Sequence, residues 1–87
     1  MALLEDFNEA VSKSKDLSRR PSNEELLEMY SLYKQATVGD ATGDRPGGFD
    51  FKAIAKFDVW SAKKGLFKEQ AMTDYLVLMT KLKATYA

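Results

Sequence analysis

At 87 residues and 9.8 kDa, the chain is long enough for one hydrophobic core and too short for two. Its 45% hydrophobic and 30% charged residues, with ten aromatics among them, exclude compositional disorder. The absence of cysteine and histidine excludes disulfide stapling, thiolate chemistry, Ser-His or Cys-His catalysis and the usual zinc sites. The balance of thirteen basic against thirteen acidic side chains lacks the basic excess expected of a nucleic-acid binder.

In chain order, Leu3, Phe7, Ala10, Val11, Ser14 and Leu17 recur at steps of three and four, which predicts a helix from about Glu5 to Leu17. Pro21 forbids its continuation. Ser22 with Glu25 has the spacing of a capping box, so a second helix starts near Asn23. Leu26, Met29, Tyr30, Tyr33 and Ala36 then follow one face as far as Val38, where Gly39 supplies a left-handed stop. Residues 39–49 hold four glycines and a proline and read as one long loop. Asp50 caps a short third helix whose Ala53, Phe57 and Trp60 share a face and which ends in Lys63-Lys64-Gly65. A fourth helix carries Ala71, Met72, Tyr75, Met79, Leu82 and Tyr86 on one stripe to the C-terminus. No useful stretch alternates with period two, so the fold class is all-α, a bundle of four helices without internal repeats.

Charge divides unevenly, with residues 1–44 at −4 and residues 45–87 at +4, which suggests halves that complement one another across helix faces. No apolar run approaches the ~20 residues of a membrane span, and the start Met1-Ala2-Leu3-Leu4-Glu5-Asp6 lacks the order of a secretory signal. The expectation is a soluble intracellular protein.

Motifs of known chemistry mostly fail on their spacing. The glycine-rich loop lacks the Gly-Lys-Ser/Thr ending of a P-loop and follows a helix, while Asp40 and Asp44 lack the closing glutamate of an EF-hand. Glu24 and Glu25 fit a helix's first turn as caps. Tyr30, Tyr33 and Lys34 are more informative, because their spacing places two phenol rings and an ammonium on adjoining parts of one helical surface. Such a patch holds a flat ring beside an anion, although the same spacing also fits tyrosines at the edge of a core. Lys52 and Lys56, one turn apart on the third helix, extend the positive charge.

The run Pro21-Ser22-Asn23-Glu24-Glu25-Leu26-Leu27-Glu28-Met29-Tyr30-Ser31-Leu32-Tyr33-Lys34-Gln35-Ala36-Thr37-Val38-Gly39-Asp40 closely resembles the hallmark segment of acyl-CoA-binding proteins. The likeness continues through Arg45-Pro46-Gly47, Lys56-Phe57-Asp58-Val59-Trp60, Lys64-Gly65 and Ala71-Met72 to Tyr75, and so covers nearly the whole chain. The resemblance implies one acyl-CoA-binding domain over residues 1–87, folded as an up-down-down-up four-helix bundle with its long connection between helices two and three. Its ligand would be a long-chain fatty acyl-CoA, carried and buffered without conversion. No catalytic residue, metal or cofactor is then needed. By the same resemblance Tyr33 meets adenine, Lys34 and Lys56 hold the ribose 3′-phosphate, Tyr30 and Tyr75 add polar contacts, and Lys15 lines the mouth. The tail lies between helices two and three. The implied protein is a cytoplasmic monomer that touches membranes or acyl-CoA-using enzymes only transiently.

Three residues depart from the family pattern. Val11 stands where alanine is usual near the adenine, Phe57 replaces a larger ring, and Phe67 occupies the usual Ser/Thr cap before helix four, with Gln70 at the position of the capping partner. The competing reading is a helical protein-interaction module that uses Phe67 and the lysine-rich third helix as a contact patch. Acyl-CoA hydrolysis is disfavoured, because no nucleophile and base pair stands out.

Overall fold

Two of the four helices start on a side-chain oxygen and two start without one. The computed structural model describes residues 2–86. Helix α1, Leu3–Lys13, follows Ala2, which offers only its carbonyl, to the Asp6 amide. Helix α2, Asn23–Thr37, opens on the expected capping box: Ser22 Oγ accepts from the Glu25 amide, and Glu25 Oε1 accepts from the Ser22 amide. Asp50 accepts from the Ala53 amide and caps α3, Phe51–Ser61. Helix α4, Lys68–Tyr86, follows Phe67, whose carbonyl accepts from the Ala71 amide while its ring stands in solvent. Gln70, expected as a capping partner there, instead donates forward to Asp74 at 2.8 Å.

The sequence-based boundaries hold to within a few residues. The α-helical part of the first element begins two residues earlier than expected and stops at Lys13. Ser14–Asp16 continue as a tighter 3-10 turn, and Leu17 is extended. Gly39 adopts φ +96, the left-handed stop expected after α2.

Pairwise contacts fix the helix directions. Gln35 near the end of α2 meets the Leu66 carbonyl just before α4, and Tyr86 at the end of α4 meets Glu25 in the first turn of α2, so these helices are antiparallel. Tyr30 lies beside Lys56 and Lys34 beside Trp60, one turn further along both helices, so α2 and α3 run parallel. Phe7 packs on Tyr75, and the Ser18 amide beyond α1 meets the Tyr86 carbonyl, so α1 and α4 also run parallel. The bundle is therefore up-down-down-up.

The core is small and lies between α1, α2 and α4, built from Phe7, Leu32, Ala36, Ala71, Tyr75, Met79 and Leu82. Buried with it are the polar Ser31 and Gln35. Helix α3 leans chiefly on α2, and none of its residues is fully buried. The Cα atoms extend 16 Å along the shortest axis, about two helix layers at an interaxial distance of about 8–10 Å, and the flank of α2 that carries Leu26, Tyr30 and Tyr33 is left half-buried or exposed.

That open flank corrects the reading of α2. Of the periodic face Leu26, Met29, Tyr30, Tyr33 and Ala36, Ala36 is buried and Met29 packs half-buried against the core, whereas Leu26 and Tyr30 are half-buried and Tyr33 is exposed; Ser31, Leu32 and Gln35 are buried beside Ala36. The charge halves are joined less than expected. Among the described residues, Lys63–Glu28 at 2.7 Å is the ion pair that spans them, whereas Lys13–Glu9 and Arg45–Asp58 each lie within one half.

Candidate ligand-binding site

The uncovered flank of α2 becomes a site because tyrosines occupy it where aliphatic residues would otherwise be exposed. Val11 and Ser14 from the α1 segment, Leu26, Met29, Tyr30 and Tyr33 from α2, and Tyr75 from α4 line an open hollow of about 290 Å³. Tyr33 stacks on the buried Phe7 ring at a centroid distance of 6.2 Å and an interplanar angle of 20°. Phe7 in turn meets Tyr75 edge-on at 5.1 Å. Tyr33 remains 39% exposed, so a ring fixed on one side by the core presents surface to solvent. Burial raises the Tyr75 phenol above its ordinary value, offset in part by the neighbouring Ser14 hydroxyl.

Tyr30 and Leu26 also line a second hollow of about 410 Å³ between α2 and α3, with Arg20, Asn23, Leu27, Lys52, Ala55 and Lys56. The two hollows adjoin along the ridge of Tyr30 and Leu26, which lines both. The first is aromatic, and the second has an aliphatic floor under a basic rim with no carboxylate. The expected lysines stand on aromatic faces, Lys56 Nζ 5.1 Å from the Tyr30 ring centroid and Lys34 Nζ 4.9 Å from that of Trp60. Because α2 and α3 are parallel, these pairs sit on successive turns, and each helix contributes one ammonium and one ring.

Of the seven residues expected at the site, Val11, Tyr30, Tyr33 and Tyr75 meet in the first hollow, and Lys56 joins Tyr30 in the second. Lys34 lines neither hollow and rests on Trp60. Lys15 also lines neither, and stands exposed on the 3-10 turn next to Ser14. Leu26 and Met29 share the periodic face of the tyrosines but were not expected at the site, and Arg20, Leu27 and Ala55 had no role in the sequence reading. The period of three and four that selected the tyrosines also contains Leu26 and Met29, but it does not say which flank lies open.

A clasp at the far end of α2 holds this arrangement. Gln35 Nε2 donates at 2.8 Å to both Asp40 Oδ1 and the Leu66 carbonyl, and the Gly65 amide donates to the same Asp40 oxygen at 2.9 Å. The Gly65 amide and then the Gln35 amide hold the Asp40 carboxyl below the usual carboxylate range. Trp60 Nε1 donates to the Gly39 carbonyl at 2.8 Å, which anchors α3 to the turn that ends α2. Arg45 forks onto Asp58 at 2.8 and 3.0 Å and ties the long loop to α3. Hallmark residues far apart in sequence thus meet as struts that keep α3 beside the groove.

A family model described as "Acyl CoA binding protein" matches residues 4–79. The chain is 50% identical over 82 residues to an acyl-CoA-binding protein of Brassica napus, covering 94% of this chain and 89% of that one. It is 49% identical over 80 residues to acyl-CoA-binding protein homolog 1 of Caenorhabditis elegans, covering 92% and 93%. Among solved structures, Oryza sativa acyl-CoA-binding protein 2 superposes with a TM-score of 0.91 at 45% identity, over 97% of this chain and 93% of that one. The structure from Moniliophthora perniciosa superposes with a TM-score of 0.86 at 35% identity, over 94% and 80%.

Proposed function

The chain belongs to the acyl-CoA-binding protein family, and from that membership we propose that it binds long-chain fatty acyl-CoA and acts as its carrier and buffer, without converting it. The observation that carries this reading is the adjacency of two unlike hollows, an aromatic one and an aliphatic trough with a basic rim, on either side of Tyr30 and Leu26. A CoA thioester has the matching form, a flat base and several phosphates at one end and an alkyl chain at the other.

In the proposed complex, adenine stacks on the open face of Tyr33 beside Val11, and the 3′-phosphate lies between Lys34 and Lys56. Tyr30, Tyr75 and Lys15 supply polar contacts at the mouth. Turning Lys34 and Lys56 from their aromatic faces toward a phosphate exchanges one favourable contact for a stronger charge-assisted one. The tail follows Leu26, Leu27 and Ala55. Each buried methylene contributes ~0.8 kcal/mol, so half of a sixteen-carbon chain contributes on the order of 6 kcal/mol before ordering costs. Residues 1–87 act as one domain, as a cytoplasmic monomer that exchanges ligand with membranes or acyl-CoA-using enzymes. The reading needs neither a catalytic group nor a metal.

Calorimetric titration with CoA, octanoyl-CoA and palmitoyl-CoA tests it. Affinity should rise along the series. Equal affinity for CoA and palmitoyl-CoA would make the site a nucleotide-binding hollow without a tail groove.

A further inference from the structure

The trough between α2 and α3 is chemically uneven along its length. Tyr30 lies beside Lys56 at its inner end, and because the two helices run parallel, the segment before α2 and the first turns of both helices form its outer end. That outer end carries Arg20, Asn23 and Lys52. Tyr30 stands seven residues after Asn23, so the floor of Leu26, Leu27 and Ala55 runs for about 10 Å between the two ends. Asn23 Oδ1 accepts from Arg20 Nη1 at 3.1 Å. Among the described residues this is the one hydrogen bond of that guanidinium, so most of its N–H donors stay free.

A chain that ends in a methyl group has no use for these cations. In the proposed complex Lys34 and Lys56 hold the phosphate, which leaves Arg20 and Lys52 at the opposite end of the trough. Neither enters an ion pair among the described residues. Of the acids nearest in sequence, Asp50 is engaged in capping α3 through the Ala53 amide, and Glu24 does not line the trough. The outer end is therefore an aliphatic channel closed by hydrogen-bond donors without an anion. A carboxylate at the far end of an acyl chain supplies that anion: the planar fork of Arg20 matches its two oxygens, and the Lys52 ammonium offers a further donor. Without such donors, a carboxylate drawn over Leu26, Leu27 and Ala55 would lose hydration with nothing in return.

We propose that the trough also accepts acyl-CoA esters whose chain ends in a carboxylate, the ω-carboxyacyl class, with Arg20 and Lys52 receiving the terminal carboxylate. The inference deepens the carrier reading and rests on it for the CoA head and the path of the chain. Calorimetric titration of the parent and of Arg20→Gln/Lys52→Gln tests it, with palmitoyl-CoA against hexadecanedioyl-CoA and dodecanoyl-CoA against dodecanedioyl-CoA. Each pair matches in length and differs only at the chain end. The parent should bind at least one diacid ester as tightly as its monoacid partner. The double variant should weaken that diacid ester about ten-fold more than the partner, and added salt should also weaken it more. Arg20→Glu, which reverses a charge on an exposed side chain, should widen the discrimination further. Equal weakening of both members of each pair would overturn the proposal, as would a parent that binds both diacid esters at least ten-fold more weakly than their partners. Failure of the parent to bind palmitoyl-CoA would instead refute the carrier reading, and the proposal with it.

Discussion

Tyr33 is held from behind by Phe7 and open in front, so its ring and its hydroxyl have separable roles. Tyr33→Phe should weaken palmitoyl-CoA binding only mildly. Tyr33→Ala should weaken it by at least about 1 kcal/mol more, because base stacking on an aromatic ring is lost. Calorimetry checks both, and equal losses would place the hydroxyl rather than the ring against the ligand. Lys34 rests on Trp60 in the free protein, so Lys34→Ala should weaken binding by roughly 2 kcal/mol and lower stability by less than about 1 kcal/mol. Tyr75 supplies a pH signature. Its buried phenol is raised above the ordinary 10.0, so the folded protein keeps a proton that the unfolded chain has already released. The associated stability is present below pH 10 and falls as pH rises beyond it. Urea midpoints measured across the alkaline range should decline, and Tyr75→Phe should flatten the decline.

At the scale of elements, the contrast between α2 and α4 is a natural experiment in capping. Ser22 satisfies the Glu25 amide, and Ser22→Ala should cost about 1 kcal/mol. Phe67 offers the first turn of α4 no side-chain acceptor and leaves its own ring 79% exposed. Phe67→Ser should therefore stabilise by about 1 kcal/mol, a gain of roughly 4–8 °C in Tm for a domain of this size. Thermal unfolding followed by circular dichroism reads both shifts. An unchanged Tm for Phe67→Ser would mean that the Phe67 ring makes compensating contacts along α4.

Across the whole molecule, three carboxylates close ties between elements. Glu25 accepts from the Tyr86 hydroxyl at the end of α4, Asp40 from Gly65 and Gln35, and Asp58 from Arg45 in the long loop. Each is held below its ordinary value of 4.5 for Glu25 or 3.8 for the two aspartates, chiefly by Tyr86, Gly65 and Arg45 respectively. On acidification the unfolded chain takes up protons first, so this stability is complete above those values and disappears as pH falls through and below them. Urea unfolding at a series of acid pH values should show the loss, less steep in Asp58→Asn. On a grid of acyl length against ionic strength, affinity should rise from octanoyl to about palmitoyl and then level as the trough fills. Salt should weaken every length by a similar factor.

Helix boundaries were legible in the sequence because the groups that set them are local: Ser22 with Glu25, Asp50 with Ala53, Pro21 and Gly39 all act within a turn of the residues they delimit. The residues of the aromatic patch were legible for the same reason, since a spacing of three and four is a property of one helix. Which flank of α2 would be covered was decided only by tertiary structure. Periodicity favoured the flank of Leu26, Met29 and Tyr33, yet Gln35 is buried on the other, because Asp40 and the Leu66 carbonyl, five and thirty-one residues away, accept from its amide. The favoured flank remained open because α3, pinned by Trp60 to Gly39 and by Arg45 to Asp58, lies beside α2 rather than over it. An apolar stripe records only that a surface avoids water. Whether a neighbouring helix or a ligand covers it depends on partners distant in the chain, whose approach no local spacing encodes.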